Sequence, residues 1–263
     1  MIFIAGNSRS GTTLMGRILA NHSQVFTFSE LHFLEETWMP VSDELTLPEP
    51  EAVKIYSNLI SIQREGYLKK RMPEKYFDEA TDAVKSFNGE KMTFASLYKC
   101  FLFRETERNQ KKIPCEKTPR NVLYIKELSE IYPACKIVCM IRDPKDVLLS
   151  QKKKWKRRFL GGAASIPLRE SIRARINYHP FIISRLWNVN AQEIEKHKKN
   201  QHVMTLSFES LLRNPEKEIR DLCAFLEIPF EAEMLRVQKK GSSSEFDAAD
   251  KLEIDKKKIG NWK

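Results

Sequence analysis

The chain has 263 residues, 41% of them hydrophobic and 30% charged, and a formal net charge of +10. This is enough globular sequence to bury one substantial core, and the positive balance calls for acidic partners: a polyanionic nucleotide, an acidic substrate or surface or, as the rival reading, nucleic acid. No apolar run is long enough to span a bilayer, and Met1 leads directly into a strand with no signal-peptide core, which predicts a soluble, cytoplasmic chain without a transmembrane segment.

Met1 to Ala5 is a short apolar run with β-branched Ile2 and Ile4, the pattern of a buried strand in a parallel sheet. A polar turn, Gly6-Asn7-Ser8-Arg9-Ser10-Gly11, follows, and from Thr12 onward Leu14, Met15, Ile18 and Leu19 share one helical face. A turn of this kind exposes unpaired backbone N–H groups at the positive end of a helix dipole, a ready cradle for phosphate or sulfate. Its spacing is Gly-x4-Gly-Thr-Thr, so Thr12 stands where a Walker A loop carries its lysine, and the positive charge sits inside the loop at Arg9. That favours a nucleotide with a single 5′-phosphate and a terminal acidic group that leaves without a metal. His22 reads as a structural turn residue. Glu30 ends the second extended segment, beside the first loop if the sheet is open and parallel.

From Trp38 to Gln110 the pattern is helical, with segments at Ala52–Lys70, Tyr76–Phe87 and Thr93–Arg108. Lys117 follows a short strand and precedes Pro119, and an amphipathic helix is expected over Asn121–Ile131. Lys136–Ile141 is the clearest buried strand, flanked or lined by Cys135 and Cys139. The five cysteines are odd in number and lack Cys-x-x-Cys spacing, which suits reduced thiols without a metal. Arg142 stands at the carboxyl end of that strand, Asp143 is placed to cap and Pro144 to start the next helix, and Ser150 lies two turns along it. The basic run Lys152–Arg158 reads as a solvated face or an anion guide. A long helix is expected over Arg169–Lys196 with a kink at Pro180, then a strand ending in a turn over His202–Leu211 and a helix over Pro215–Leu226. Gly241 opens a polar stretch.

Arg9-Ser10-Gly11-Thr12-Thr13 resembles the 5′-phosphosulfate loop of sulfotransferases that use 3′-phosphoadenosine 5′-phosphosulfate (PAPS), in the form of the tyrosylprotein and bacterial branches. Arg142 and Ser150, eight residues apart, match the 3′-phosphate motif of the same family, and Glu116-Lys117-Thr118-Pro119 resembles the segment that sets a lysine near the transferred sulfate. The resemblance implies a P-loop-type α/β fold, a three-layer sandwich with a central parallel sheet. It implies one domain over 1–263, with 38–110 as a helical insertion that walls the acceptor pocket. It also implies PAPS as co-substrate, adenosine 3′,5′-bisphosphate as product and no metal. Arg9, Ser10, Gly11, Thr12 and Thr13 would hold the 5′-phosphosulfate, Arg142 and Ser150 the 3′-phosphate, and Lys117 the developing charge.

An acceptor hydroxyl must lose its proton as it attacks sulfur, so a base is required. Glu30 lies twenty-one residues after Arg9, the distance at which the tyrosylprotein branch carries its proposed glutamate, with His32 as the fallback. Glu35 and Glu36 read as a solvated helix face. Phe208 stands where relatives carry an aromatic near the adenine, and Lys258, before Gly260-Asn261-Trp262-Lys263, where a basic loop closes over the 3′-phosphate. The acceptor would be a small molecule, carbohydrate, lipid or peptide, and not nucleic acid. Two other readings stay open: a Mg²⁺-dependent P-loop nucleotide kinase, and a basic nucleotide- or RNA-binding module without turnover.

Overall fold

The computed structural model describes residues 1–38, 45–67, 72–87, 91–152, 179–237 and 260. The basic run beyond Lys152, residues 169–178 at the start of the expected long helix, the stretch from Gly241 and Lys258 lie outside the described residues.

Five parallel strands form one sheet in the order β2-β3-β1-β4-β5. They are β1 (Ile2–Gly6), β2 (Val25–Thr27), β3 (Ile113–Lys117), β4 (Lys136–Ile141) and β5 (Val203–Ser207). All five residues of β1 are buried, which is why that strand is apolar throughout instead of alternating. Ile4 pairs with Lys117 and Gly6 with Met140, so the carboxyl ends of β1, β3 and β4 open onto one crevice.

Successive side chains leave a strand on opposite faces, and two cores follow from that. Ile2, Ile4, Val138, Met140 and Leu206 pack under α1 (Thr12–Ala20) and the later helix α10 (Pro215–Leu226). Phe3, Ala5, Phe28, Ile137 and Cys139 pack under α3 (Glu49–Glu65), α4 (Phe77–Lys85), α5 (Phe94–Arg108) and α6 (Ile125–Ile131). The α3–α5 block is thus one of the three layers and shares its core with the sheet. Arg64 of α3 fastens it internally: its guanidinium donates to both oxygens of Glu79 in α4, at 2.6 and 2.7 Å, and to both oxygens of buried Glu105 in α5, at 2.7 and 3.1 Å.

Several elements begin elsewhere than their periodicity suggests. Pro119 starts a 3-10 turn, Pro119–Tyr124, and the α-helix expected from Asn121 begins only at Ile125. Pro180 is not a kink. It occupies the first turn of α8 (Pro180–Lys196), and His179 before it is extended at φ −62 and ψ 135, as the ring clash of proline with the preceding residue requires. β5 stops at Ser207, whose hydroxyl accepts from the Ser210 N–H and caps α9 (Phe208–Arg213). The remaining elements are α2 (Phe33–Glu36) and α7 (Pro144–Lys152). Among the described residues no helix is long and apolar enough to cross a membrane.

Candidate active site

The loop after β1 is a left-handed turn. Arg9 has φ 76 and Gly11 φ 96, and the Ser10 N–H closes onto the Asn7 carbonyl at 3.0 Å. Gly11 caps α1 without a side-chain hydrogen bond, so the first-turn amides at Thr12, Thr13 and Leu14 keep the unmet donors of a helix start. A glycine is needed here twice over, because a Cβ would also sit 2.4 Å from Phe208 Cδ2. Among the described residues the Ser10 hydroxyl is fully buried and has no hydrogen-bond partner, an exception to the rule that buried polar groups are paired.

The second cradle closes on the first. Arg142 leaves the end of β4, donates to the Arg9 carbonyl at 3.2 Å and lies 3.6 Å from Asp146, with its guanidinium 4.3 Å from the centre of the Phe208 ring. Arg9 Nε donates to Ser150 Oγ at 2.8 Å across 141 residues of sequence. Asp143 Oδ1 accepts from the Lys145 N–H at 2.8 Å, the capping role its position predicts. Residues far along the chain complete the support. Gln151 donates to the Ser8 carbonyl at 3.1 Å, Asn190 to Asn7 Oδ1 at 3.2 Å, and the Trp187 indole to the Arg142 carbonyl at 3.1 Å. The Gly260 N–H reaches Asp146 Oδ2 at 2.9 Å.

Phe208 is only 4% exposed. Its ring lies beneath Gly11 and Arg142 and joins the two cradles from below.

A third group stands at the end of β3. Lys117 Nζ donates to Glu30 Oε1 at 2.7 Å, and its stem runs past α1 at Gly16, where a Cβ would lie 3.6 Å from Lys117 Cγ. His32 Nε2 stands 3.7 Å from Glu30 Oε2, its Nδ1 3.2 Å from Glu35 Oε1, and Arg120 pairs with Glu35 at 2.8 Å. Burial works against ionising Glu30, but His32 and the Lys117 ammonium outweigh it and hold the carboxyl down at about 2. Glu30 and then Glu35 push His32 up to about 9 against the cost of burial, so at neutral pH the imidazole is a cation.

Glu35 is therefore not the solvated residue expected of it. α2 has four residues, too few for a periodicity to show that Glu35 turns back onto His32. Tyr67, beyond the end of α3, lies tilted with its ring centre 4.4 Å from that of His32 and donates to Glu36, so the helical layer reaches this corner. His22 is structural as expected, buried against the Pro229 carbonyl at 3.0 Å.

The description "Sulfotransferase family" matches residues 2–232, most of the chain. The chain belongs to the sulfotransferase family. Among solved sulfotransferases, the domain from the Synechococcus PCC 7002 olefin synthase superimposes with a TM-score of 0.62 at 20% identity, over 100% of this chain and 86% of that one. The sulfotransferase domain from the curacin biosynthetic pathway does so with a TM-score of 0.54 at 18% identity, over 98% and 88%. At these identities the likeness is one of fold, and it agrees with the three-layer arrangement expected. An uncharacterised protein of Aquifex aeolicus is 24% identical over 241 residues, and this sulfotransferase chain spans only 27% of its length.

Proposed function

We propose that this sulfotransferase transfers a sulfuryl group from PAPS to an acceptor hydroxyl, or less readily an amine, and releases adenosine 3′,5′-bisphosphate. One observation carries the reading. Arg9, the Ser10–Thr13 turn, Arg142 and Ser150 form a single cluster, with the Glu30–Lys117 pair at the end of the neighbouring strand. The residues suit such a donor: unmet amides, the buried Ser10 hydroxyl and Arg9 for the 5′ end, and the Arg142 guanidinium with Ser150 for the 3′-phosphate.

In this proposal Lys117 neutralises charge on the oxygen that links phosphorus to sulfur as that bond breaks, and Glu30 takes the proton of the attacking hydroxyl. Atoms balance: the acceptor oxygen gains the sulfuryl group, its proton goes to a Glu30 oxygen, and the linking oxygen leaves on the bisphosphate. Paired with His32 and Lys117, Glu30 is too weak a base. It gains basicity when the ammonium is drawn toward the donor, which leaves burial opposed by His32 alone. His32, already a cation, orients Glu30 in place of serving as the base. The layer at 38–110 walls the acceptor side, which Tyr67 against His32 supports. The five free cysteines suit a cytoplasmic setting.

Calorimetry tests the donor assignment. Tight binding of adenosine 3′,5′-bisphosphate, lost in Arg142→Ala, with far weaker binding of ATP and turnover undiminished by chelator, is the expected result. Equal binding of ATP or RNA overturns it.

A further inference from the structure

Glu116 precedes Lys117 on β3 and is 1% exposed. Strand alternation sends it to the opposite face, in register with Phe3, so the neighbouring ammonium turns to Glu30 and does not pair with it. A carboxylate this deep is costly to ionise unless its oxygens are met. Here they are met from the segment that follows. The Thr118 hydroxyl donates to Oε1 at 2.5 Å and the Asn121 amide to Oε2, while the backbone of Leu31, the residue between Glu30 and His32, also favours the ionised carboxylate. The His32 N–H lies 3.5 Å from Thr118 Oγ1, on the same small network.

We infer that Glu116 is a positioning residue of this site, a buried carboxylate that fixes Thr118 and Asn121 and through Thr118 holds the Glu30–His32 corner against the Lys117 strand end. The inference rests on the proposed roles of Glu30 and Lys117, and its geometry stands apart from the donor cradles. A glutamine of the same size keeps one oxygen for the Asn121 amide but turns an N–H toward Thr118, which forces that hydroxyl to accept and changes how it meets the His32 N–H. The charged and titratable neighbours are Cys115 and Lys117 on its own strand, Tyr98 from α5, and Glu30 and His32 on either side of Leu31. Burial keeps Tyr98 and Cys115 neutral, the thiol pushed up to about 12. Burial also pushes Glu116 itself up to about 7, against the pull of Thr118 and Asn121, so this carboxylate titrates near neutrality.

The test follows the His32 imidazole by NMR titration of the full chain, with the signal assigned through His32→Gln. In wild type it titrates near 9, with a small inflection where Glu116 ionises. In Glu116→Gln the inflection disappears and the His32 midpoint falls by about one unit or more toward the free imidazole value, while affinity for adenosine 3′,5′-bisphosphate stays within about two-fold. Thr118→Val, which removes one donor and keeps the carboxylate, gives a smaller fall and carries the test if Glu116→Gln does not fold. An unchanged His32 titration in the folded variants overturns the positioning role. Failure of wild type to bind the bisphosphate overturns the donor reading instead and leaves the positioning role standing or falling on His32 alone.

Discussion

Replacing Gly11 by alanine should damage both anion cradles at once, because the glycine is where they touch. Its φ of 96 puts an alanine in the left-handed region, at a cost of roughly 1–2 kcal/mol. The new Cβ would sit 2.4 Å from Phe208 Cδ2 and 3.0 Å from Cε2, where carbon atoms rest at about 3.5–4.0 Å, so the ring must retreat by about an ångström. That ring carries the Arg142 guanidinium at 4.3 Å on its face and has no free space to move into, and overpacking of this kind costs about 1–3 kcal/mol. The sum, about 2–5 kcal/mol, lowers the thermal midpoint of a chain this size by roughly 4–10 °C. It also weakens binding of adenosine 3′,5′-bisphosphate by at least about ten-fold, because Arg142 is displaced with the ring. Adding Phe208→Leu to Gly11→Ala should return the packing share of the loss and leave the backbone share. Differential scanning calorimetry and isothermal titration on the single and double variants give both quantities. A Gly11→Ala protein with wild-type midpoint and affinity would show that the loop does not rest on Phe208, and the joined-cradle argument would fail.

Arg64→Ala should destabilise the protein by about 3 kcal/mol in urea unfolding, because it strands the buried Glu105 carboxylate. Glu79→Gln, at a half-exposed partner of the same arginine, should cost under about 1 kcal/mol, and equal losses from the two would refute this account. The His32–Glu30 pair sets a pH window. His32, raised from 6.5 to about 9, contributes stability that is complete below pH 6.5 and lost as pH rises through 9, whereas Glu30, lowered from 4.5 to about 2, contributes stability that is complete above pH 4.5 and lost as pH falls through 2. The difference in thermal midpoint between wild type and His32→Gln should thus be widest between about pH 4.5 and 6.5, and an equal difference at pH 6 and pH 10 would contradict it. Trp187→Phe removes the indole donor to the Arg142 carbonyl, and bisphosphate affinity should fall about five-fold as one hydrogen bond is lost. No change in the titration would mean that α8 does not hold Arg142.

What could be read from the sequence was local. The Gly6–Gly11 turn, the strand into Arg142-Asp143-Pro144 and the apolar stripe of α5 each carry their signal within a dozen residues, and each stands where its pattern puts it. Glu30, His32 and Lys117 were legible as charged residues at strand ends, but not as one ion-paired corner. Their 87-residue separation is closed by parallel strand pairing through β2 and β3, which no periodicity encodes. Trp187, Asn190 and Gln151 carried no signal at all, because each is an ordinary helix residue whose partner is a loop atom more than forty positions away. Phe208 was read by its chemistry, an aromatic near a base, and it stands where its burial matters more than its face.

The α3–α5 layer invites exchange between relatives as a way to alter what the protein accepts. Its footing argues against a simple cassette swap. Phe101 of α5 packs against Phe28, just past β2, with Tyr56 of α3 edge-on to Phe101, so a graft that carried the helices alone would leave Phe28 of the recipient without its aromatic partners. A workable chimera must move its crossover points inward, so that the matching strand residues travel with the helices they seat.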